Sequence, residues 1–287
     1  MREAGINGSR AADNASIVMY DVPEALVVEA DGPVRVIRLN RPDDLNAVNL
    51  DLHEGIADLW PQINADRDAR AVVITGNGRA FSAGGDFGYI REQVIDTVLR
   101  RASLDTGRRL VLNMIRCRVP VIAAVNGPAV GLGCSLVALS DMVYMSNTAH
   151  LSDPHVIVGL VAADGGAITW PFNMSLMLAK EFAFTGDRIT AERAHQMGLV
   201  NHVCDPDEVV AAAMACAQRI AKLPPYAVQM TKRLLNIHLE RAVLATIDFA
   251  AASEYESFAT EDVRAFLERM APSGESGGST PTGRELT

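Results

Sequence analysis

The chain has 287 residues, of which 49% are hydrophobic and 21% charged, so it is long enough to bury a substantial core as one large domain. Its formal net charge of −9 argues against nucleic acid as the main partner, because phosphate binding requires clustered Lys and Arg. The N-terminal stretch lacks the apolar run of a signal peptide, and no later stretch reaches membrane-spanning length. The sequence therefore predicts a cytoplasmic protein that does not engage a membrane.

Strand and helix patterns alternate along the first part of the chain. Strands are predicted at 26–30, 34–39, 71–75, 120–125 and 142–146, the first two as a hairpin, and helices at 50–65 and 91–116. Strands separated by helices predict right-handed crossovers and a mainly parallel sheet. From about residue 175 the pattern is almost entirely helical, and it includes separate helices over 226–239 and 244–270.

These patterns divide the chain into four predicted segments, of which the two at the ends are polar and rich in Gly and Ser. The segments are a disordered arm at 1–22, an α/β core at 23–203, a helical C-terminal region at 204–271 and a disordered tail at 272–287.

The sequence gives no sign of a metal site. The four cysteines are scattered without a CxxC pair or a histidine-rich cluster, which predicts reduced thiols and no bound metal. Five histidines stand alone without metal-ligand spacing and are interpreted as surface or core residues: His53, His150, His195, His202 and His238.

Two glycine-rich segments follow predicted strands, at the edge of the sheet where α/β proteins place their ligands. The first is AFSAGGD at Ala80–Asp86, and the second is NGPAVGLGCS at Asn126–Ser135. Two backbone N–H groups from such loops, aimed at one point, would make an oxyanion hole, whereas tight turns alone are the plainer interpretation. Neither segment has a Walker or GxGxxG pattern, which disfavours a nicotinamide-dependent oxidoreductase.

A family resemblance extends this interpretation. RPDDLNAVN at 41–49 resembles a segment near the start of enoyl-CoA hydratase/isomerase (crotonase) proteins. The segments at 80–86 and 120–141 resemble that family's two oxyanion loops, and 184–203 resembles the segment after its core. The resemblance implies a crotonase-like spiral of ββα units with a helical trimerisation region. It also implies an acyl-CoA thioester as partner, a homotrimer or hexamer, and no cofactor beyond the coenzyme A of the substrate.

The resemblance also implies particular residues. The backbone N–H groups of Ala83 and Leu132 are expected to polarise the thioester carbonyl, although the family usually has Gly at position 132. The expected coenzyme A path includes Ala47, Ala83, Gly84, Gly85, Asp86 and Arg269.

The sequence departs from its relatives where chemistry is expected. Family hydratases use two glutamates for proton transfer, and the aligned positions hold Ser135 and His155. This difference disfavours two-glutamate hydration and favours isomerase, lyase or hydrolase chemistry through a thioester enolate. A catalytically inactive acyl-CoA-binding protein is the alternative function.

Three residues are candidates for the acid or base. Ser135 and His155 are hypothesised to form a pair in which His155 accepts the hydroxyl proton, with a structural histidine as the alternative. Asp164 lies one residue beyond the position at which some relatives carry a functional aspartate, and a helix N-cap is its alternative role. Among them, Asp164 is the first choice for proton transfer.

Overall fold

The computed structural model describes residues 20–270. The predicted tail and most of the predicted arm lie outside this range. Within the arm, the Tyr20 hydroxyl donates to Asp66 Oδ2 at 2.5 Å, so the packed part of the chain extends at least to Tyr20. None of the helices in the described part combines the length and apolar character that crossing a lipid bilayer requires.

Strands and helices alternate through the core and give way to helices at the C-terminal end. The strands are β1 Leu26–Asp31, β2 Val34–Leu39, β3 Ala71–Gly76, β4 Val121–Val125, β5 Ala129–Val130, β6 Met142–Ser146, β7 His150–Ser152, β8 Ile189–Thr190 and β9 His202–Cys204. The α-helices are α1 Leu50–Ala65, α2 Phe87–Ile95, α3 Thr97–Ile115, α4 Leu132–Ala138, α5 His155–Val158, α6 Gly166–Asn173, α7 Leu176–Thr185, α8 Ala191–Met197, α9 Val209–Ala221, α10 Pro225–Ser257 and α11 Glu261–Arg269.

Two sheets organise the core. The larger has the order β1-β2-β3-β4-β6-β9, in which β1 and β2 form an antiparallel hairpin and every other neighbouring pair is parallel. The smaller sheet has the order β5-β7-β8. Strands β3 and β4 are buried at every position and apolar except for Thr75, as expected for central parallel strands covered on both faces. This architecture confirms the predicted α/β fold with its helical C-terminal region.

Helix α1 runs through Pro61 without interruption. Proline has no N–H, so the carbonyl four residues earlier, that of Ala57, loses its intrahelical donor. Asn113 of α3 supplies a replacement, because its Nδ2 donates to the Ala57 oxygen at 3.0 Å. Burial of Leu52, Ile56 and Trp60 of α1 in the main core adds the packing that holds the helix in place.

The structure differs from the predicted helices at three places. One of them is residues 258–260, where the helix predicted at 244–270 is divided between α10 and α11. The predicted helix at 91–116 belongs to two helices that meet at Asp96, whose carboxylate accepts hydrogen bonds from the first N–H groups of α3. In contrast, α10 continues through residues 239–244, where a break was predicted. That stretch contains neither Gly nor Pro, so nothing in it opposes the helix.

Candidate active site

An apolar cavity of about 360 Å³ lies between the two glycine-rich loops and helices α2, α3, α5 and α10. Its volume falls within the range of small-molecule sites. Among the hydrophobic residues that line it are Ile90, Leu104, Ile247 and Phe258. Among the ionisable groups that line the same cavity are His155, Asp164 and Glu254, and such a concentration of titratable groups in an apolar cleft is typical of a catalytic site.

The two loops touch at Gly84 and Gly131. A Cβ atom on Gly84 would lie 2.8 Å from the Val130 carbonyl oxygen, and one on Gly131 would lie 3.6 Å from the Gly84 Cα. Both glycines have positive φ, +87° and +52°, so a side chain would be strained at either position and crowded at Gly84. The glycines therefore allow the two backbones to approach each other at one edge of the cavity.

The structure does not support Ala83 as an oxyanion donor. Its N–H donates to the Leu45 carbonyl oxygen at 2.9 Å and is therefore not available to a ligand. Two residues further on, the Gly85 N–H has no acceptor within residues 20–270, although the neighbouring Gly84 carbonyl and Asp86 N–H both bond to Val48. Gly85 thus replaces Ala83 as the candidate donor from the first loop. A sequence motif does not show which N–H groups of a loop are already used by other backbone groups.

The backbone N–H of Leu132 is the second candidate donor, and the loop accepts a leucine at this position. The positive φ needed at this turn falls on Gly131, and Leu132 is the first residue of α4. An N–H in the first turn of a helix has no intrahelical acceptor, and that of Leu132 finds no other within the described residues. The Leu that replaces the usual Gly therefore fits the loop and also lines the cavity.

Ser135 pairs with Asp164 rather than with His155. The Ser135 hydroxyl donates to Asp164 Oδ1 at 2.6 Å and accepts a hydrogen bond from the Gly166 N–H at 3.2 Å. The hypothesis that His155 takes the proton of Ser135 is therefore wrong for this geometry. Since Ser135 is fully buried, it serves to position Asp164.

Asp164 is not the N-cap of the helix that follows it. Helix α6 begins at Gly166 and its N-cap is Gly165, while the first N–H of the helix donates to the Ser135 hydroxyl rather than to Asp164. The second carboxylate oxygen of Asp164, Oδ2, instead lies 3.6 Å from His155 Nε2. Asp164 thus connects Ser135 to His155 at the wall of the cavity.

His155 is held between two carboxylates. Its Nδ1 contacts Asp153 Oδ1, and its Nε2 faces Asp164. Burial alone would lower the pKa of His155, but the negative charges of Asp153 and Asp164 outweigh burial and raise that pKa to about 10. At neutral pH His155 is therefore an imidazolium and can donate a proton. His155, a candidate acid or base in the sequence, is thus paired with Asp153, a residue that the sequence did not indicate.

Two further carboxyl groups have raised pKa values. Burial raises the pKa of Asp164, although the charge of His155 acts in the opposite direction. Burial, reinforced by the negative charges of Asp164 and Asp153, raises the pKa of Glu254 to about 8 against the opposing charge of His155. Glu254 was missed in the sequence because it lies near the C-terminal end of a long helix, among other acidic residues, about 90 positions after Asp164.

One cluster in the described part of the chain has the spacing of metal ligands. Asp153, His155 and Asp164 each place one ligand atom within 4.8 Å of the others. Asp153 contacts His155 through Oδ1, whereas its Oδ2 is buried and has no hydrogen-bond partner within the described residues. The absence of a metal therefore stays a prediction.

Some of the residues expected along the coenzyme A path line the cavity, whereas others contact Arg41 or face solvent. Ala83, Gly84 and Gly85 line the cavity. The Ala47 carbonyl accepts a hydrogen bond from Arg41, and Asp86 caps α2 while it pairs with Arg41 at 3.2 Å.

Arg269 is exposed, and its guanidinium lies 5.9 Å from the centre of the Phe266 ring, which lines the cavity. Because Asp86 has a structural partner and Arg269 faces solvent, their contacts to coenzyme A stay predictions.

Glu254 makes stability depend on pH. The folded state keeps the Glu254 proton up to about pH 8, whereas an unfolded carboxyl releases it near 4.5, so this group destabilises the fold progressively as the pH rises between these values. We expect Glu254→Gln to melt at a higher temperature than the wild type at pH 8. The corresponding gain in the free energy of unfolding is on the order of a few kcal/mol.

The two proteins should have similar stability below pH 4.5. The control is Glu256→Gln, an exposed position on the same helix. Equal pH dependence of melting in the Glu254→Gln and Glu256→Gln variants would contradict the assigned pKa.

Fold and site together define an α/β protein that places two free backbone N–H groups and a carboxylate–imidazole cluster beside an apolar cavity. The sequence profile of the enoyl-CoA hydratase/isomerase family matches residues 29–276. The chain is 31% identical to a short-chain-enoyl-CoA hydratase from Clostridium acetobutylicum over 254 residues, which is 87% of this chain and 97% of that protein. The chain belongs to the enoyl-CoA hydratase/isomerase family.

Solved structures extend the comparison. An enoyl-CoA hydratase/isomerase from Mycobacterium paratuberculosis is 61% identical, with a TM-score of 0.85 over 87% of this chain and 100% of that one. A β-diketone hydrolase from the cyanobacterium Anabaena, bound to (S)-3-oxocyclohexyl acetic acid, is 28% identical, with a TM-score of 0.77 over 84% of this chain and 96% of that one. The chain therefore has the crotonase fold and resembles proteins described by more than one activity.

Proposed function

We propose that this protein acts on an acyl-CoA thioester through an enolate whose oxygen accepts hydrogen bonds from the N–H groups of Gly85 and Leu132. The observation that carries this proposal is that two free N–H groups and the Asp164–His155 pair border one apolar cavity. Hydrogen-bond donors that are already in place at the developing negative charge are a large source of rate enhancement in such sites. Asp164 and His155 supply the groups that move protons.

Within this class, the site best supports hydrolytic cleavage of a 3-oxoacyl thioester. Asp164 takes a proton from water while the water oxygen bonds to the 3-keto carbon. The bond between C2 and C3 then breaks, and its electron pair forms the thioester enolate. The His155 imidazolium gives a proton to C2, and the proton on Asp164 restores His155 across the 3.6 Å that separate them. The products are a carboxylic acid and acetyl-CoA, which together account for the water consumed.

Two observations favour this hydrolysis over an isomerase or a lyase reaction. The raised pKa of His155, about 10, makes it an acid at neutral pH, which leaves Asp164 as the base for water. The likeness to a protein described as a β-diketone hydrolase supports cleavage next to a second carbonyl group.

The cluster also argues against an inactive binding protein. Buried ionisable groups are costly, and a site that only holds a thioester has no use for three of them.

The ligand class can be tested by calorimetry. We expect acetyl-CoA and longer acyl-CoA thioesters to bind, because the loops and family membership both favour them, and NADH and ATP not to bind. A Gly84→Val variant is the control, since its side chain would meet the Val130 carbonyl and push the two loops apart. Binding of NADH alone would contradict the proposed ligand class.

A further inference from the structure

The end of the cavity formed by α1 and α3 contains polar groups that the proposed reaction does not use. His53 of α1 lines the cavity and is only 8% exposed. Its ring nitrogens have no hydrogen-bond partner within residues 20–270, and its Nε2 lies 3.8 Å from the position that a Cβ atom on Gly107 would occupy. Neither ring nitrogen is fully enclosed, so a polar group of a ligand in the cavity can reach them.

The burial of His53 decides its protonation state. Burial, together with the charge of Arg109, lowers the pKa of His53 to about 4. The imidazole is therefore neutral, with one N–H donor to offer.

Arg108 adds a cation at the same end of the cavity. It follows Gly107 on α3, and within the described part of the chain it is the only Arg or Lys that lines this cavity. Its Nε donates to Asp248 at 2.8 Å, while its Nη atoms have no acceptor within residues 20–270. The side chains of Arg108 and Asp248 are 41% and 75% exposed, so this ion pair is weak and leaves the guanidinium able to bind another anion.

We propose that the α1–α3 end of the cavity binds a carboxylate at the distal end of the substrate's acyl group, with His53 as hydrogen-bond donor and Arg108 as counter-charge. A hydrocarbon tail would leave both groups facing an apolar surface, at a cost in desolvation. The substrate class is then a dicarboxylic acid carried as its mono-thioester. This inference rests on the proposed acyl-CoA function and specifies the acyl group.

The test compares ligands that differ only at the distal end and cannot be cleaved. Calorimetry of the full-length protein would use adipyl-CoA against hexanoyl-CoA, and suberyl-CoA against octanoyl-CoA. We expect the wild type to bind the carboxylate-ended member of at least one pair tenfold or more tightly, as a charge-assisted hydrogen bond provides. Arg108→Met should lose most of this preference, and His53→Phe should reduce it.

The control is Asp248→Asn, which breaks the same ion pair but keeps Arg108, and it should retain the preference. Arg108 is half exposed, so its variant tests the proposal even if His53→Phe does not fold. Equal affinity within both pairs, or tighter binding of an ω-carboxamide analogue, would overturn the carboxylate subsite alone. Failure of all the thioesters to bind would instead contradict the proposed acyl-CoA function.

Discussion

Replacing Asp164 with Asn should lower kcat on the true substrate by a hundredfold or more and leave the melting temperature nearly unchanged. Asn has the same shape and can still accept a hydrogen bond from the Ser135 hydroxyl, but it cannot take a proton from water. Because Asp164 does not cap α6, the variant loses no helix cap. Steady-state kinetics and thermal melting of the same preparations measure both quantities.

The control for this variant is Asp207→Asn, an exposed position distant in sequence from the cavity residues, which should change neither quantity. Ser135→Ala offers a second comparison, because it removes only the hydroxyl that positions Asp164. It should reduce kcat less than Asp164→Asn does. Full activity in a well-folded Asp164→Asn protein would refute the assignment of Asp164 as the base.

Hydration of crotonyl-CoA by the wild-type protein should be slower by a factor of about 10⁴ or more than hydration by glutamate-containing relatives. The sequence predicts Ser135 and His155 at the positions of the family's two catalytic glutamates, and each general acid or base contributes typically about 10²–10⁴-fold. Ser135 is bound to Asp164 and does not line the cavity, so it cannot stand in for the missing carboxylate. Loss of the enoyl absorbance over time measures the rate.

The comparison protein is the short-chain-enoyl-CoA hydratase from Clostridium acetobutylicum, assayed under the same conditions. Hydration at a comparable rate by both proteins would show that Asp164 and Glu254 replace the two glutamates in function. In that case the hydrolytic proposal would lose its main support.

The fold was predictable because its signals are local and periodic. Buried apolar runs predicted β3 and β4, and the turn at Asp31 and Gly32 predicted the first hairpin. Helix boundaries were less predictable where a side chain outside the pattern decides them, as Asp96 does by capping α3. The trimer or hexamer, the cytoplasmic location and the coenzyme A contacts stay predictions.

The site was predictable only in part because its geometry comes from contacts between distant segments. The motifs indicated the two loops and the loop of Asp164, all of which line one cavity, whereas the role of Leu132 as a donor stays a prediction. They did not show that the Ala83 N–H is taken by Leu45. Nor did they indicate Glu254, which enters the cavity only because α10 packs against α3.

The most direct test of the account follows the oxygen atom of water. The wild-type protein is incubated with a 3-oxoacyl-CoA in ¹⁸O-labelled water, and the products are analysed by mass spectrometry. The account predicts acetyl-CoA together with a carboxylic acid that carries one ¹⁸O atom, and a loss of both products in the Asp164→Asn variant. Free coenzyme A together with an intact 3-oxo acid carrying the label would contradict it, because water would then have attacked the thioester instead of the 3-keto carbon.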